Sequence, residues 1–265
     1  MRSKILRDLF IVLAVFGLVW IGISMLKPKP NIPSIRLSVE DEEQLGDALT
    51  SALFTDVKLD SFPYLDTTLT SITYRLTEAI DSPVYNFKFH VIHNNEINAF
   101  ATLGGHIYVF TGLLKVLESP EQLAAVIAHE MGHVQERHVV DKLVREYGLS
   151  MLFSLIAVGD PTLFAEIMQY TISGAFSRSQ EAEADDFGLV LLENAKIEPK
   201  ALAEAFGILK EEGGNSYVPA FLQSHPNIDS RIANAEKYEL PSQFESRPFD
   251  TNWQTLVDEL EENKL

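Results

Sequence analysis

The sequence contains no cysteine, which excludes disulfide bonds, catalysis by a cysteine thiolate and attachment through a lipid-modified cysteine. Basic residues are also scarce, because 21 Lys and Arg stand against 38 Asp and Glu, for a formal net charge of -17. Nucleic-acid binding needs a basic face, so nucleic acid is excluded as an expected partner. The chain also shows no repeat with a period of about 20 to 50 residues, which argues against a solenoid.

Only one long hydrophobic run is present. Residues 9–26 contain no charged side chain, and a run of about 18 or more apolar residues suits a membrane-spanning helix. A cleaved signal peptide has a shorter apolar region that ends in a small-residue cleavage site, and neither feature is found. We therefore predict an uncleaved single-pass anchor within residues 1–30, with a removed signal peptide as the alternative.

The charges beside this run predict its orientation. Three basic residues precede it and two follow it, so the positive-inside rule favours an N-terminus in the cytoplasm. The rest of the chain is then extracytoplasmic, which in a two-membrane bacterium is the periplasmic side of the inner membrane. We predict that this part forms one globular domain in residues 31–240, followed by an acidic, helical C-terminal tail in residues 241–265.

Hydropathy patterns divide the predicted domain into helices and strands. Apolar positions recur at helical spacing in two segments, over residues 38–52 and 66–80. Three short strands follow, over residues 84–92, 97–102 and 106–110. Strands this close together in the chain predict a small antiparallel sheet ahead of a long helical region.

Residues 148–158 are strongly apolar, and a Gly-Asp-Pro break separates them from a further predicted helix over residues 163–176. The eleven residues of the first segment are too few to cross a bilayer, which needs about 20. The pattern predicts a helical hairpin that is either buried in the domain or rests on a membrane or over a cleft.

The sequence His-Glu-Met-Gly-His occupies residues 129–133, inside a helix whose start is indicated by Ser119 and Pro120. His129 and His133 are four apart, so a helix places both imidazoles on one face, within reach of one metal ion. Glu130 is rotated by about 100° from His129, which places its carboxylate beside the metal as a base for water rather than as a ligand.

A catalytic zinc usually has three protein ligands and one open position, so a third ligand is required. Glu181 and Asp185 are again four apart on a predicted helix. One of them can bind the metal while the other accepts a hydrogen bond from the outer ring nitrogen of a ligand histidine. The spacing alone leaves open which of the two is the ligand.

The sequence resembles the gluzincin membrane metallopeptidases of the HtpX, BepA and prenyl-protein-protease type, metallopeptidase family forty-eight. Four motifs, in the order found in that family, span residues 97–232, about half of the chain. They are Ile97-Asn98-Ala99-Phe100-Ala101 with Gly104-Gly105-His106-Ile107-Tyr108-Val109, then His129 to His133, then Ser177-Arg178 through Glu181 to Asp185, and Ser224-His225-Pro226 with Arg231-Ile232. Leu103 and His106 stand where many relatives have a proline and an aromatic residue, so the strand beside the cleft can differ in detail.

The resemblance implies an α+β fold, namely a mainly helical, zincin-like metallopeptidase domain with a small antiparallel sheet beside the motif helix, plus one N-terminal transmembrane helix. It implies one Zn²⁺ per chain, with Glu181 as the third ligand and Asp185 supporting a ligand histidine. The expected reaction is hydrolysis of a polypeptide substrate, as in quality control of misfolded or envelope proteins. Glu130 takes the proton of the attacking water and passes it to the leaving nitrogen.

Two further roles are predicted, stabilisation of the oxyanion and binding of the substrate. His225 and Arg178 are candidates for stabilising the oxyanion, and His225 can instead be a removable fourth metal ligand or simply lie at a helix start. An extended substrate is expected beside Ile107, Tyr108 and Val109, since strand addition to an exposed sheet edge gives sequence-tolerant binding. The remaining histidines are predicted to be structural or exposed, and they are His90, His93, His106 and His138.

Two rival functions belong to other classes. A proteolytically silent chaperone or adaptor would keep the metal for stability, but a purely structural site does not need Glu130 and usually closes with four ligands. A small-molecule metallohydrolase would cleave short esters or amides and no denatured protein.

Overall fold

The computed structural model describes residues 37–53, 62–158, 160–214 and 218–263. The predicted anchor, residues 9–26, lies outside these residues. In the part that is described, none of the helices has the length and apolar character needed to cross a bilayer. Residues Leu37–Leu265 group into a single compact unit.

Helices make up most of the described structure. In chain order they are α1 (Val39–Leu53), α2 (Pro63–Glu78), α3 (Thr111–Val116), α4 (Pro120–Gln135), α5 (His138–Tyr147), α6 (Leu149–Val158), α7 (Pro161–Ser173), α8 (Arg178–Asn194), α9 (Ala201–Glu212), α10 (Ala220–Ser224), α11 (Ile228–Ala235) and α12 (Trp253–Glu262). Three strands accompany them, β1 (Lys88–Ile92), β2 (Ala99–Ala101) and β3 (His106–Phe110). The mainly helical α+β character agrees with the sequence-based prediction.

The sheet is mixed, so the prediction of an antiparallel sheet is wrong. The strand order is β1-β3-β2, with β1 parallel and β2 antiparallel to β3. After β2 the chain reverses through Gly104 and Gly105, both at positive φ (69° and 84°), which glycine adopts without a steric penalty. This turn inserts β3 between the two earlier strands, and alternation of residues along a strand carries no information about that order.

Close packing of α4 against α8 positions the two helices that carry the predicted site. A Cβ atom added at Gly132 of α4 would lie 2.9 Å from the backbone of Ala184 of α8, a distance that forces the backbones apart. A Cβ at Gly188 of α8 would lie 3.3 Å from the backbone nitrogen of His129. Small residues at these two crossings therefore let the side chains of α8 reach those of α4.

The apolar hairpin forms helices α6 and α7, and both contribute to the core. Leu152 and Leu155 of α6 and Ile167 of α7 are at most 1% exposed. Of the two alternatives predicted for this hairpin, burial in the domain describes these side chains.

The C-terminal residues include α12, which packs on α2. Trp253 donates a hydrogen bond from its indole N–H to the carbonyl of Leu117 (2.6 Å). The carboxylate of Glu259 accepts from the backbone N–H groups of Tyr64 (3.3 Å) and Leu65 (3.1 Å) at the start of α2. The division of the chain into a domain of residues 31–240 and a tail of residues 241–265 stays a prediction.

Candidate active site

The two motif histidines lie side by side in the interior. Ser119 caps α4 by accepting from the backbone N–H of Gln122, and Pro120 occupies the first turn, so the helix starts where local sequence predicts. The Nε2 atoms of His129 and His133 are 3.1 Å apart, and both residues are 0% exposed. Burial lowers the pKa of His129 to about 4 and that of His133 well below its ordinary value. Both imidazoles are therefore neutral, the form that can bind a metal.

Helix α8 brings its two acidic residues to different nitrogens of these histidines. Its start is fixed by a capping box between Ser177 and Gln180. Glu181 faces the inner nitrogens, with its carboxylate oxygens 3.5 Å from Nε2 of His133 and 3.8 Å from Nε2 of His129. Asp185 instead lies 2.9 Å from the outer Nδ1 of His129. The geometry thus separates the two carboxylates that sequence spacing left equivalent.

His225, directly after α10, completes the cluster. Its Nδ1 lies 3.1 Å from Nε2 of His129 and 3.1 Å from an oxygen of Glu181. One donor atom each from His129, His133, Glu181 and His225 fall within 4.8 Å of one another, and all four residues are buried. Imidazole and carboxylate donors converging at this spacing fit a zinc ion.

Glu130 lies beside this cluster without a partner of its own. It is 1% exposed, and neither carboxylate oxygen forms a hydrogen bond within 3.5 Å, although the backbone of Ala101 lies close enough to lower its pKa. The imidazole Nε2 of His225 lies 3.5 Å away. Burial raises the pKa of Glu130 to about 7, against the lowering effect of His225. A buried carboxylate left unsatisfied is costly unless a ligand or substrate meets it, so this group is suited to exchanging a proton near neutral pH.

Ile107, Tyr108 and Val109 do not form a free edge. They belong to the central strand β3, which pairs with β1 on one side and β2 on the other, and each is at most 1% exposed. An extended substrate cannot add to a strand whose two edges are already paired. The prediction that substrate binds along β3 is therefore wrong, because it did not foresee that β3 is the central strand of the sheet.

Arg178 stays outside the cluster of donor atoms. It is exposed in the first turn of α8 and lines a cavity of about 350 Å³ together with Glu181 and Arg231. The structure thus brings together five of the predicted site residues with Asp185 behind them, and leaves Arg178 at the rim of a neighbouring cavity.

Similarity to known proteins agrees with this arrangement. A model of peptidase family M48 matches residues 63–239. The chain belongs to this family. It is 30% identical over 213 residues to the beta-barrel assembly-enhancing protease of Escherichia coli (strain K12), an alignment covering 75% of this chain and 44% of that protein. It is 31% identical over 156 residues to mitochondrial metalloendopeptidase OMA1 of Schizosaccharomyces pombe, covering 57% of this chain and 46% of that protein.

The chain spans less than half the length of these curated relatives. The M48 match runs from the start of α2 to just beyond α11 and contains every residue of the cluster. The resemblance predicted from the four sequence motifs is confirmed, and with it the expected class of enzyme, a metallopeptidase.

Arg231 is a site residue of this M48 domain to which the sequence analysis gave no role. From α11 it pairs with Asp185 at 2.6 and 2.7 Å and with Glu181 at 2.5 Å, while its guanidinium lies 4.3 Å from the Phe206 ring centre. Burial alone would raise the pKa of Glu181, but His225, His133 and Arg231 hold it well below its ordinary value. A single arginine on an amphipathic helix gives no local signal of such a contact.

Proposed function

We propose that the chain is a zinc-dependent endopeptidase in which His129, His133 and Glu181 hold the metal and Glu130 is the general base. The observation that carries the proposal is the buried set of converging donors with an unpartnered carboxylate next to it. When bound, zinc supplies a Lewis acid that polarises the scissile carbonyl and acidifies water. The chain's own residues carry the proton transfers.

Glu130 is the group placed to move protons. Its carboxylate accepts a proton from the attacking water and delivers it to the leaving nitrogen, a role that suits its pKa of about 7. Asp185 orients His129 by accepting from its Nδ1–H at 2.9 Å, which leaves the Nε2 lone pair for the metal.

His225 is proposed as a removable fourth donor. A catalytic zinc keeps one position open, whereas Nδ1 of His225 sits 3.1 Å from donor atoms of both His129 and Glu181, closer than those two donors sit to one another at 3.8 Å. The helix α10 that precedes His225 reaches the residues just before β2, since the backbone N–H of Phe221 donates to the carbonyl of Ile97 at 3.3 Å. We assign this arrangement to a resting form that opens when α10 moves away. The predicted oxyanion role of Arg178 stays a prediction.

We place the polypeptide substrate at the outer edge of β2. Asn98 and Thr102 form backbone hydrogen bonds to β3 at 3.1 and 2.8 Å, so in an antiparallel ladder Ala99 and Ala101 direct their backbone groups away from β3. That side faces α4, where the backbone of Ala101 lies close enough to Glu130 to lower its pKa. Ala99 and Ala101 are at most 3% exposed, so a substrate strand can add there, running past the proposed base, only in the opened form.

The four converging donors also favour one rival, a silent chaperone with a structural zinc, because structural sites close with four ligands. Incubating the 265-residue chain with an unfolded protein, with and without a chelator, separates the two. If the chain is a peptidase, it cleaves the protein, the chelator stops the cleavage, and the Glu130→Gln variant does not cleave. A chaperone suppresses aggregation equally well as the parent and as Glu130→Gln, without cleavage. Cleavage of short esters alone would identify a small-molecule hydrolase.

Residues 9–26 are proposed to anchor the domain, with the catalytic part on the periplasmic side of a bacterial inner membrane and misfolded or envelope proteins as substrates. The names of two relatives, a beta-barrel assembly-enhancing protease and a mitochondrial metalloendopeptidase, support a role at membranes. Reporter fusions after Leu265 test the orientation, with an extracytoplasmic signal expected. A cytoplasmic signal would contradict it.

A further inference from the structure

His138 lies against His133, the proposed ligand histidine whose outer ring nitrogen meets no carboxylate. The outer nitrogen of His129 meets Asp185, whereas the outer nitrogen of His133 meets another histidine, with Nδ1 of His133 and Nδ1 of His138 3.1 Å apart. On its far side, Nε2 of His138 lies 3.0 Å from an oxygen of Glu183. We propose that His138, held by Glu183, is the positioning residue that orients His133 toward the metal.

A break in the helix makes this contact possible. On one continuous helix a residue five after His133 would be rotated by about 140° from it. Instead α4 ends at Gln135, Arg137 adopts left-handed backbone angles (φ 59°, ψ 26°), and α5 begins at His138. The turn folds His138 back over His133.

The strained turn is held by contacts of its own. A non-glycine residue in the left-handed region costs about 1 kcal/mol, and such residues persist where surrounding contacts over-determine them. The guanidinium of Arg137 donates to the carbonyl of Leu37 at 2.8 Å and forms an ion pair with the buried Glu42. The backbone geometry that delivers His138 is therefore fixed from outside the site.

One assignment of protons satisfies the whole chain of groups. His133 presents its Nε2 lone pair to the metal, so its proton resides on Nδ1 and is donated to Nδ1 of His138. His138 then carries its proton on Nε2 and donates it to the carboxylate of Glu183. Each nitrogen has one role, and the tautomer of His133 is fixed in the form that binds metal.

Burial adds to the constraint. His138 is 3% exposed and meets the edge of the His133 ring, while Phe176 stacks on a face of that ring with ring centres 3.8 Å apart. The ring of His133 thus has little freedom except rotation away from the cluster, which the bond to His138 opposes. Glu183 is more than half exposed, with 58% of its side chain accessible, so water can partly replace it.

This inference rests on the proposed zinc site, and its test measures affinity for zinc rather than turnover. Zinc is titrated into the metal-free 265-residue chain against a competing chelator, for the parent and for His138→Leu, His138→Asn and Glu183→Ala. Loss of the partner of a ligand histidine weakens metal binding roughly 10- to 100-fold, which is the expectation for His138→Leu. Glu183→Ala should weaken zinc binding less than His138→Leu does.

His138→Asn distinguishes positioning from mere packing. The asparagine oxygen is attached at the same distance from Cβ as Nδ1 of histidine, so it can accept from His133, and zinc affinity should return to within about threefold of the parent. His138→Gln, whose oxygen lies one bond further out, should not rescue. This Asn and Gln pair decides the matter even if His138→Leu fails to fold. Thermal unfolding of the metal-free forms monitors the fold.

Two results would overturn the inference. In the first, the parent binds zinc and His138→Leu binds it with the same affinity. In the second, His138→Asn and His138→Gln bind zinc with equal affinity. A parent that binds no zinc would instead reject the proposed function. Glu212→Gln, which alters an exposed carboxylate of α9, is the matched control and should bind zinc as the parent does.

Discussion

Nδ1 of His225 lies 3.1 Å from a carboxylate oxygen of Glu181, although 44 residues separate them in the chain. Both side chains are at most 2% exposed, so the contact is part of the interior. It joins the segment after α10 to the first turn of α8, and it places an imidazole at the position that the proposed mechanism needs open for substrate.

Replacing His225 by alanine should therefore raise basal proteolysis of an unfolded substrate several-fold and leave the zinc content close to that of the parent. The reason is that three donors remain while the fourth position becomes open. If His225 instead stabilises the oxyanion, turnover should fall by roughly 10²- to 10³-fold. Unchanged activity with unchanged zinc would remove His225 from the site.

Glu130→Gln should keep the fold and the zinc but lose hydrolysis by about 10²- to 10⁴-fold, because the amide has nearly the same shape and cannot accept the proton of water. The measurement is cleavage of an unfolded protein alongside elemental analysis. Asp47→Asn is the matched control, since this carboxylate is 59% exposed, and it should cleave at the parent rate. Activity of Glu130→Gln within a few-fold of the parent would show that another group is the base.

Local signals made part of this site predictable. Ser119 with Pro120 predicts the start of α4, and the structure has the helix there. The capping pair Ser177 and Gln180 at the start of α8 is a similar local signal that the prediction did not use. Spacing by four residues then predicts which side chains share a face. The pairing of Glu181 with the inner nitrogens and of Asp185 with the outer one needs the relative placement of two helices, and spacing within one helix does not contain it.

What the sequence did not predict depends on contacts between distant segments. His138 was predicted to be structural or exposed because, on a continuous helix, a residue five after His133 does not share its face. The left-handed Arg137 that interrupts the helix is held by Leu37 and Glu42, about a hundred residues away in the chain. The order of the sheet likewise depends on where β3 inserts. Arg231 reaches Asp185 across 46 positions, and nothing near Arg231 in the sequence marks that contact.

Protein purified without added metal should contain close to one zinc per chain, and His133→Ala should lose most of it, since a buried ligand is removed from a three-residue set. Elemental analysis gives the ratio directly. His93→Ala, which alters an exposed histidine, is the matched control and should keep its zinc. Full occupancy in His133→Ala would contradict the ligand assignment.

Lys142 gives the stability of the folded chain a pH dependence. It is 4% exposed, and its ammonium group donates to the carbonyls of Thr171 (3.0 Å) and Gly174 (2.9 Å). Burial lowers its pKa to about 8, against the opposing influence of Glu130 and Glu181. Between about pH 8 and the ordinary lysine value near 10.4 the unfolded chain binds the proton that the folded chain has released.

Because the unfolded state then holds more protons, the free energy of unfolding contributed by Lys142 should rise with pH across this window, by up to about 1.4 kcal/mol per pH unit. Below pH 8 both states are charged and the contribution is flat. Urea unfolding of the parent and of Lys142→Met at pH 7.5, 8.5 and 9.5, with chelator throughout, measures the difference. The rise should be absent in Lys142→Met and present in Lys200→Met, whose lysine is 67% exposed; equal slopes in the parent and Lys142→Met would show that Lys142 titrates alike in both states.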